Sequence, residues 1–254
     1  MRILDKEFDM NSLFTEIDQL KNSLDKCRPL TEGEVARLRD EFLTEYTYNS
    51  NAIEGNTLTL RETALVLQGM TIDKKPLKDH LEAVGHRDAY NYIEMVATQK
   101  NPLDKRVIKE IHSLVLIDRP MDRGVFRKIP VQIMGAYVTP AEPWNIEPRL
   151  DDLLKKYTNE YALLHIVERI ARFHLEFEGI HPFIDGNGRT GRLLMNLDLI
   201  QHGYPPIDVK YTDRVRYYDA FDNYYQDGQI NGMIDLIGGY LRDRLKMYVE
   251  ILEE

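Results

Sequence analysis

The chain has 254 residues, 43% hydrophobic and 30% charged, which is enough for a sizeable core and argues against disorder. A net charge of −9 and a pI near 5.4 exclude the broad basic surface on which counterion-driven binding rests, so no nucleic acid is expected as a partner. A single cysteine, Cys27, allows no intramolecular disulfide, acids sit where a secretory signal needs an apolar core, and no run nears a membrane span; the expectation is a cytoplasmic protein with no membrane partner.

In chain order, Leu13, Ile17, Leu20 and Leu24 recur at helical spacing and predict an amphipathic helix from Asp9 to Lys26, stopped by Pro29. Thr31 with Glu34 has the capping-box pattern and opens a second helix, through Leu38, Phe42, Leu43 and Tyr46 to about Glu54, with Gly55-Asn56 as its stop. Further helices are expected over Thr59–Gln68, Pro76–Ala97 and Lys105–Ile117. The segment from Phe126 to Thr139, with apolar Val131, Ile133, Ala136 and Val138 around Gly135, reads as a β-hairpin that needs a helical body to rest on. Such a hairpin beside a cleft would dock an extended peptide edge to edge. Helices resume over Ile146–Tyr161 and Leu163–Phe177, then through Leu193, Leu194, Leu197 and Ile200, and finally over Thr212–Tyr225 and Ile230–Leu252. The fold class is therefore all-α, one helical bundle with one hairpin.

Chemistry concentrates in His181-Pro-Phe-Ile-Asp-Gly-Asn-Gly-Arg-Thr-Gly-Arg192. Gly186-Asn187-Gly188 lets the backbone approach a ligand, and the helix that follows turns its free N–H groups and positive dipole end toward the same place. A phosphate suits that cradle. Arg189 and Arg192, three residues apart, would add bidentate contacts, and without an anion two arginines at a helix N-terminus are unfavourable. Asp185 is placed to hold Mg2+ between phosphates, and His181 to serve as general base toward a hydroxyl. Phe183 anchors the loop in the core. Gly186, Gly188 and Gly191 also fit a dinucleotide fingerprint, but that reading needs a preceding strand and a βαβ unit that the chain lacks. A zinc site on His165, His174 and His181 is disfavoured because their spacings match no i, i+4 ligand pair.

At every defined position this stretch resembles the signature H-P-F-x-[D/E]-G-N-G-R-x-x-R of the Fic-domain family. The resemblance implies a Fic-type helical bundle that transfers AMP from ATP, the co-substrate, to a Tyr, Thr or Ser hydroxyl of a target protein, with Mg2+ as cofactor. It implies that His181 is the base and Asp185 the metal ligand. Gly186, Asn187, Gly188, Arg189, Thr190, Gly191 and Arg192 would then bind the ATP phosphates. Tyr217 and Tyr218 would line the adenine end or belong to helix packing. Ile133, Met134, Gly135, Ala136 and Tyr137 would form the target-docking flap. Glycine at 188, where the phosphotransferase branch carries lysine, points to nucleotidyl transfer.

Upstream, Ser50 and Glu54 form an i, i+4 pair, with Glu54 in a last helical turn where the dipole disfavours a carboxylate. Within the resemblance, Ser50-x-x-x-Glu54-Gly matches the family's inhibitory motif, whose glutamate engages the second signature arginine, here Arg192. The same glutamate would alternatively orient a water for removal of AMP from modified targets, and transfer of another nucleoside monophosphate fits the same site. A pure ATP-sensing module would need no base. The expected organisation is a helical extension over 1–30, an inhibitory helix region over 31–58 and a catalytic core over 59–254. The target protein is not legible. The first helix and the Ile230–Leu252 helix each offer an apolar face that either packs internally or forms a homo-oligomer.

Overall fold

The computed structural model describes residues 9–133 and 135–253. Among these, ten α-helices follow one another: α1 (Met10–Leu24), α2 (Glu32–Ile53), α3 (Leu60–Leu67), α4 (Leu77–Thr98), α5 (Lys105–Val115), α6 (Ile146–Asn159), α7 (Ile166–Ile180), α8 (Asn187–Gln201), α9 (Arg214–Asp227) and α10 (Asn231–Glu253). Their starts carry local signals. Asp9 accepts from the Asn11 and Ser12 amides, Thr31 and Thr59 close reciprocal capping boxes with Glu34 and Glu62, and Asp104 accepts from the Val107 amide.

Two apolar clusters build the interior. The first joins α2, α4, α5, α6, α7 and α8 through residues such as Phe42, Tyr90, Ile111, Leu150, Phe177 and Leu194. The second joins α1, α7, α8, α9 and α10 through Ile17, Val167, Leu199, Ala220 and Ile237. Because α7 and α8 serve both clusters, the loop between them is fixed by the whole body. Every residue of α8 from Arg189 to Leu199 is buried, which explains why the helix shows no amphipathic stripe.

The predicted hairpin is not present as strands. Among the described residues, 126–141 is an extended loop without a ladder, and Met134, expected in the flap, lies outside them. The alternation of apolar residues suggested pairing between the two arms, but the backbone donors go elsewhere. Arg127 N–H donates to Pro182 O at 3.0 Å and Ala141 N–H to Ile180 O at 3.3 Å, so both ends bond to the chain leaving α7. Pro130 and Pro140 supply no N–H for a ladder. The Arg127 guanidinium completes the anchorage, donating to the carbonyls of His181 (2.8 Å), Ile129 (2.9 Å) and Ala141.

Candidate active site

Helix α7 ends where His181 turns left-handed, at φ 51°, with its N–H on Phe177 O at 3.0 Å. This costs some backbone strain and turns the imidazole out of the helix direction. Five residues on, Gly186 is again left-handed at φ 74° and starts α8. Between them the Asn187 side chain closes the loop, accepting from Phe183 N–H and donating to Phe183 O, both at 2.9 Å. Its amide is therefore spent on loop shape, and any phosphate contact there falls to the backbone N–H groups of the first turn, which have no intrahelical acceptor.

His112 of α5, unsuspected from sequence, supports this loop from beneath. Its Nδ1 accepts from Gly124 N–H at 2.9 Å, which leaves Nε2–H to donate to Asp185 O at 3.0 Å. The ring stacks on Phe183 at 3.6 Å, nearly parallel, and burial pushes its pKa down to about 4, keeping it neutral. The Asp185 carboxylate is partly exposed and pairs with Arg119 at 3.0 Å and Arg189 at 3.5 Å, while Oδ1 accepts from Gly186 N–H at 2.6 Å. Among the described residues no group of three or more His, Cys, Asp or Glu side chains comes together as a metal cage.

The two signature arginines are almost fully buried, and each is met by a carboxylate from the N-terminal half. Arg189 lies 3.0 Å from Glu82 of α4, a partner with no sequence signal of its own. Glu82 also accepts from Asn56 Nδ2 at 2.9 Å, just past the end of α2. Arg192 donates to Glu54 Oε1 at 2.8 Å, to Ser50 O at 2.8 Å and to Ser50 Oγ at 3.0 Å, and Tyr217 OH lies at 3.4 Å. The anion that two arginines at a helix N-terminus require is supplied, in this conformation, by the protein's own acids. The approach is so close that a Cβ on Gly188 would overlap Glu54 Oε1, so this glycine fits the acid as well as any phosphate.

A cleft of about 430 Å³ opens over this point, lined by Glu54, Glu178, His181, Gly188, Arg192, Tyr217 and Tyr218, with Ile133, Gly135 and Ala136 of the 126–141 loop on its other wall. A larger hollow of about 620 Å³ lies away from it, between the α1–α2 connection and α10, and holds none of the signature residues. Of the sequence candidates, Thr190 is fully buried and Gly191 abuts His174 and Glu178, so both lie beneath the cleft. Tyr137 is mostly exposed outside it. Tyr217 is buried and takes part in packing, since its OH meets His174 Nε2 at 2.7 Å, whereas Tyr218 is the more open of the pair. His165 lies elsewhere, 3.3 Å from Asp18, so the three histidines of the zinc reading are engaged separately.

Burial dominates the protonation states here. It lowers the His181 pKa to about 4, with the nearby Arg127 charge adding to the effect, so the imidazole is neutral and able to accept a proton at neutral pH. It raises Glu178 to about 8, with the Glu54 charge acting in the same direction and Arg192 against it. Arg192 is held above its usual range, because Tyr217 and Glu54 outweigh the opposing effect of burial.

A neutral imidazole, a helix N-terminus and a buried arginine face one cleft in an all-α bundle, an arrangement chemically suited to a phosphate. Residues 102–199 match the Fic/DOC family, and the chain belongs to that family. It is 34% identical over 223 residues to a protein named Protein adenylyltransferase Fic from Drosophila yakuba, covering 86% of this chain and 44% of the relative. A protein of the same name from Aedes aegypti is 33% identical over 241 residues, covering 93% and 47%. The chain thus spans about half the length of these curated relatives. Among solved structures, a Fic domain containing signaling protein from Bacteroides thetaiotaomicron superposes with TM-score 0.85 at 28% identity, over 94% of this chain and 97% of the other. A fragment of Fic-1 from C. elegans gives TM-score 0.85 at 26% identity, over 96% and 73%.

Proposed function

We propose that this chain is a protein adenylyltransferase held inactive by its own Glu54. In this reading ATP binds in the cleft with its phosphates on the first turn of α8 and Arg192, and AMP passes to a Tyr, Thr or Ser hydroxyl of a target protein. His181 takes the hydroxyl proton, the hydroxyl oxygen bonds to the α-phosphorus, and pyrophosphate leaves with the electrons of the broken P–O bond. The observation that carries the proposal is the Glu54–Arg192 pair at 2.8 Å, formed in the same cleft that His181 lines. An anion-binding arginine occupied by a carboxylate 138 positions upstream is a competition between that acid and a phosphate.

Mg2+ fits the site through Asp185. One partly exposed carboxylate with no protein cage around it suits an ion that keeps waters and takes phosphate oxygens. When bound, the ion would neutralise phosphate charge and steady the leaving group. The 126–141 loop would present its edge to the target segment, because Ile133, Gly135 and Ala136 face the cleft opposite His181.

The test is incubation of the Glu54→Gly protein with isotopically labelled ATP in cell lysate, with modified proteins read by mass spectrometry. Incorporation on target or self hydroxyls, lost in His181→Ala, is expected. No transfer from Glu54→Gly with targets present would sink the reading. Running ATP, UTP, GTP and CTP side by side tests the adenine preference, which the phosphate cradle itself does not impose.

A further inference from the structure

We propose that the hollow between the α1–α2 connection and α10 is a binding site for a small molecule with one carboxylate on an apolar body, received by Arg244. The space is about 620 Å³, within the range of small-molecule sites. It opens at the seam of the two apolar clusters. Phe42 and Tyr90 belong to the first, Leu24 and Tyr204 pack on the second, and all four line the gap between them. No residue lines both this hollow and the phosphate cleft, so the site stands independently of the transferase reading.

The observation that carries this is a guanidinium that no acid meets among the described residues. Arg244, on α10, lines the hollow, and its Nε and Nη2 are closed off from water with no hydrogen-bond partner. These two nitrogens form one edge of the guanidinium, the pair of parallel donors that takes both oxygens of a carboxylate. The remaining nitrogen, Nη1, has only the weak acceptor Sδ of Met247 at 3.7 Å. Aromatic rings are its other neighbours, the guanidinium carbon lying 4.9 Å from the centre of Phe42 and 5.1 Å from that of Tyr248. An enclosed charge with an empty fork is costly until an anion meets it.

The charges around the hollow set the class of guest. Arg28 and Arg39 also line it, but each is already taken, Arg28 by Glu34 at 2.7 Å and Arg39 by Glu94 at 2.7 Å. One fork is open, so the guest carries one anionic group, and a dianion would leave charge unmatched in apolar surroundings. Val35, Leu38, Ile200 and Pro206 supply walls for its apolar body. Because the fork is closed off from water, the guest reaches it by a small turn of Arg244 toward the space that this residue lines. Leu38 and Phe42 belong to α2, whose C-cap is Glu54, so the guest rests on the same helix as that acid.

The experiment titrates decanoate, below its micelle concentration, into the full chain by calorimetry, with decanol as the uncharged counterpart of equal chain length. Cys27, the single cysteine, lines the hollow and reports occupancy through its rate of alkylation. Saturable binding of decanoate is expected, weakened about tenfold or more by Arg244→Met, while decanol does not distinguish the two proteins. Decanoate should also slow alkylation of Cys27 in the native protein. Arg244→Lys, which keeps the charge and loses the fork, should bind with intermediate affinity, and it serves if the methionine variant folds poorly. Absence of saturable binding to the native protein overturns the proposal. Equal affinity of native protein and variants, or binding that leaves Cys27 alkylation unchanged, overturns it too, since either marks a contact that does not use this site.

Discussion

Replacing Glu54 by glycine should destabilise the protein alone and make it more responsive to nucleotide. Arg192 is almost fully buried, and Glu54 is the carboxylate that meets it, at 2.8 Å. Removing one partner of a fully buried ion pair costs about 3–5 kcal/mol. Two features reduce that here. The Glu54 side chain is 32% exposed, so solvent already screens it, and Arg192 keeps its bonds to Ser50 O and Ser50 Oγ. A cost of about 1–2 kcal/mol remains, which for a chain of this size is a fall in Tm of about 2–8 °C. Mg-ATP at about a hundred times its Kd would return about 2.7 kcal/mol to the variant. The native protein should gain much less, because its Glu54 must first be displaced. Differential scanning fluorimetry with and without Mg-ATP reads both effects, with Glu54→Gln as the control for backbone freedom. Equal nucleotide stabilisation of native and variant proteins would refute the idea that acid and phosphate contend for Arg192.

Three further outcomes follow from the same geometry. His181→Ala should abolish AMP transfer in the Glu54→Gly background while leaving nucleotide-dependent stabilisation intact, since the imidazole is assigned to the proton and not to the phosphates; fluorimetry and label incorporation on the same preparation check this. Arg127→Met should cost about 2–4 kcal/mol, because at least three carbonyls lose their donor, and should expose the 126–141 loop to limited proteolysis before the rest of the chain. Glu178 makes stability fall with rising pH. Its folded pKa of about 8 lies above the ordinary 4.5, so its contribution is fully present below about 4.5 and is lost as pH rises toward 8. Glu178→Gln should therefore be more stable than the native protein at pH 8 by about 4 kcal/mol and close to it at pH 4.5, by denaturant titration at the two pH values.

What was legible in the chain was what local chemistry determines. The capping box at Thr31, and the apolar spacing of Val107, Ile108 and Ile111, state their helices within a few residues, and the helices form there. The loop from His181 to Arg192 was legible because glycine, arginine and histidine occur there at spacings that few structural needs require together. The 126–141 segment was misread because alternation of apolar residues says which side faces inward but not which backbone the N–H groups reach. Arg127 and Ala141 bond to the end of α7, a non-local choice that period-two patterning cannot express. Glu82, His112 and Arg127 were missed for the same reason, since each acts on the loop from a distant element and none carries a local motif.

That difference bears on how the site is controlled. The signature loop is one half of an electrostatic arrangement whose other half is carried by α2 and α4. Arg192 is matched by Glu54, and Arg189 by Glu82, with Asn56 donating to Glu82 just two residues past Glu54. Pulling Glu54 out of the cleft moves the chain that holds Asn56, and with it one of the contacts that keep Glu82 on Arg189. The two arginines are therefore not independent phosphate contacts waiting for a ligand. They meet acids on two helices, Glu54 at the end of α2 and Glu82 on α4, which Asn56, two residues past Glu54, links by its bond to Glu82. On the proposed function, a signal that shifts the end of α2 would act on both.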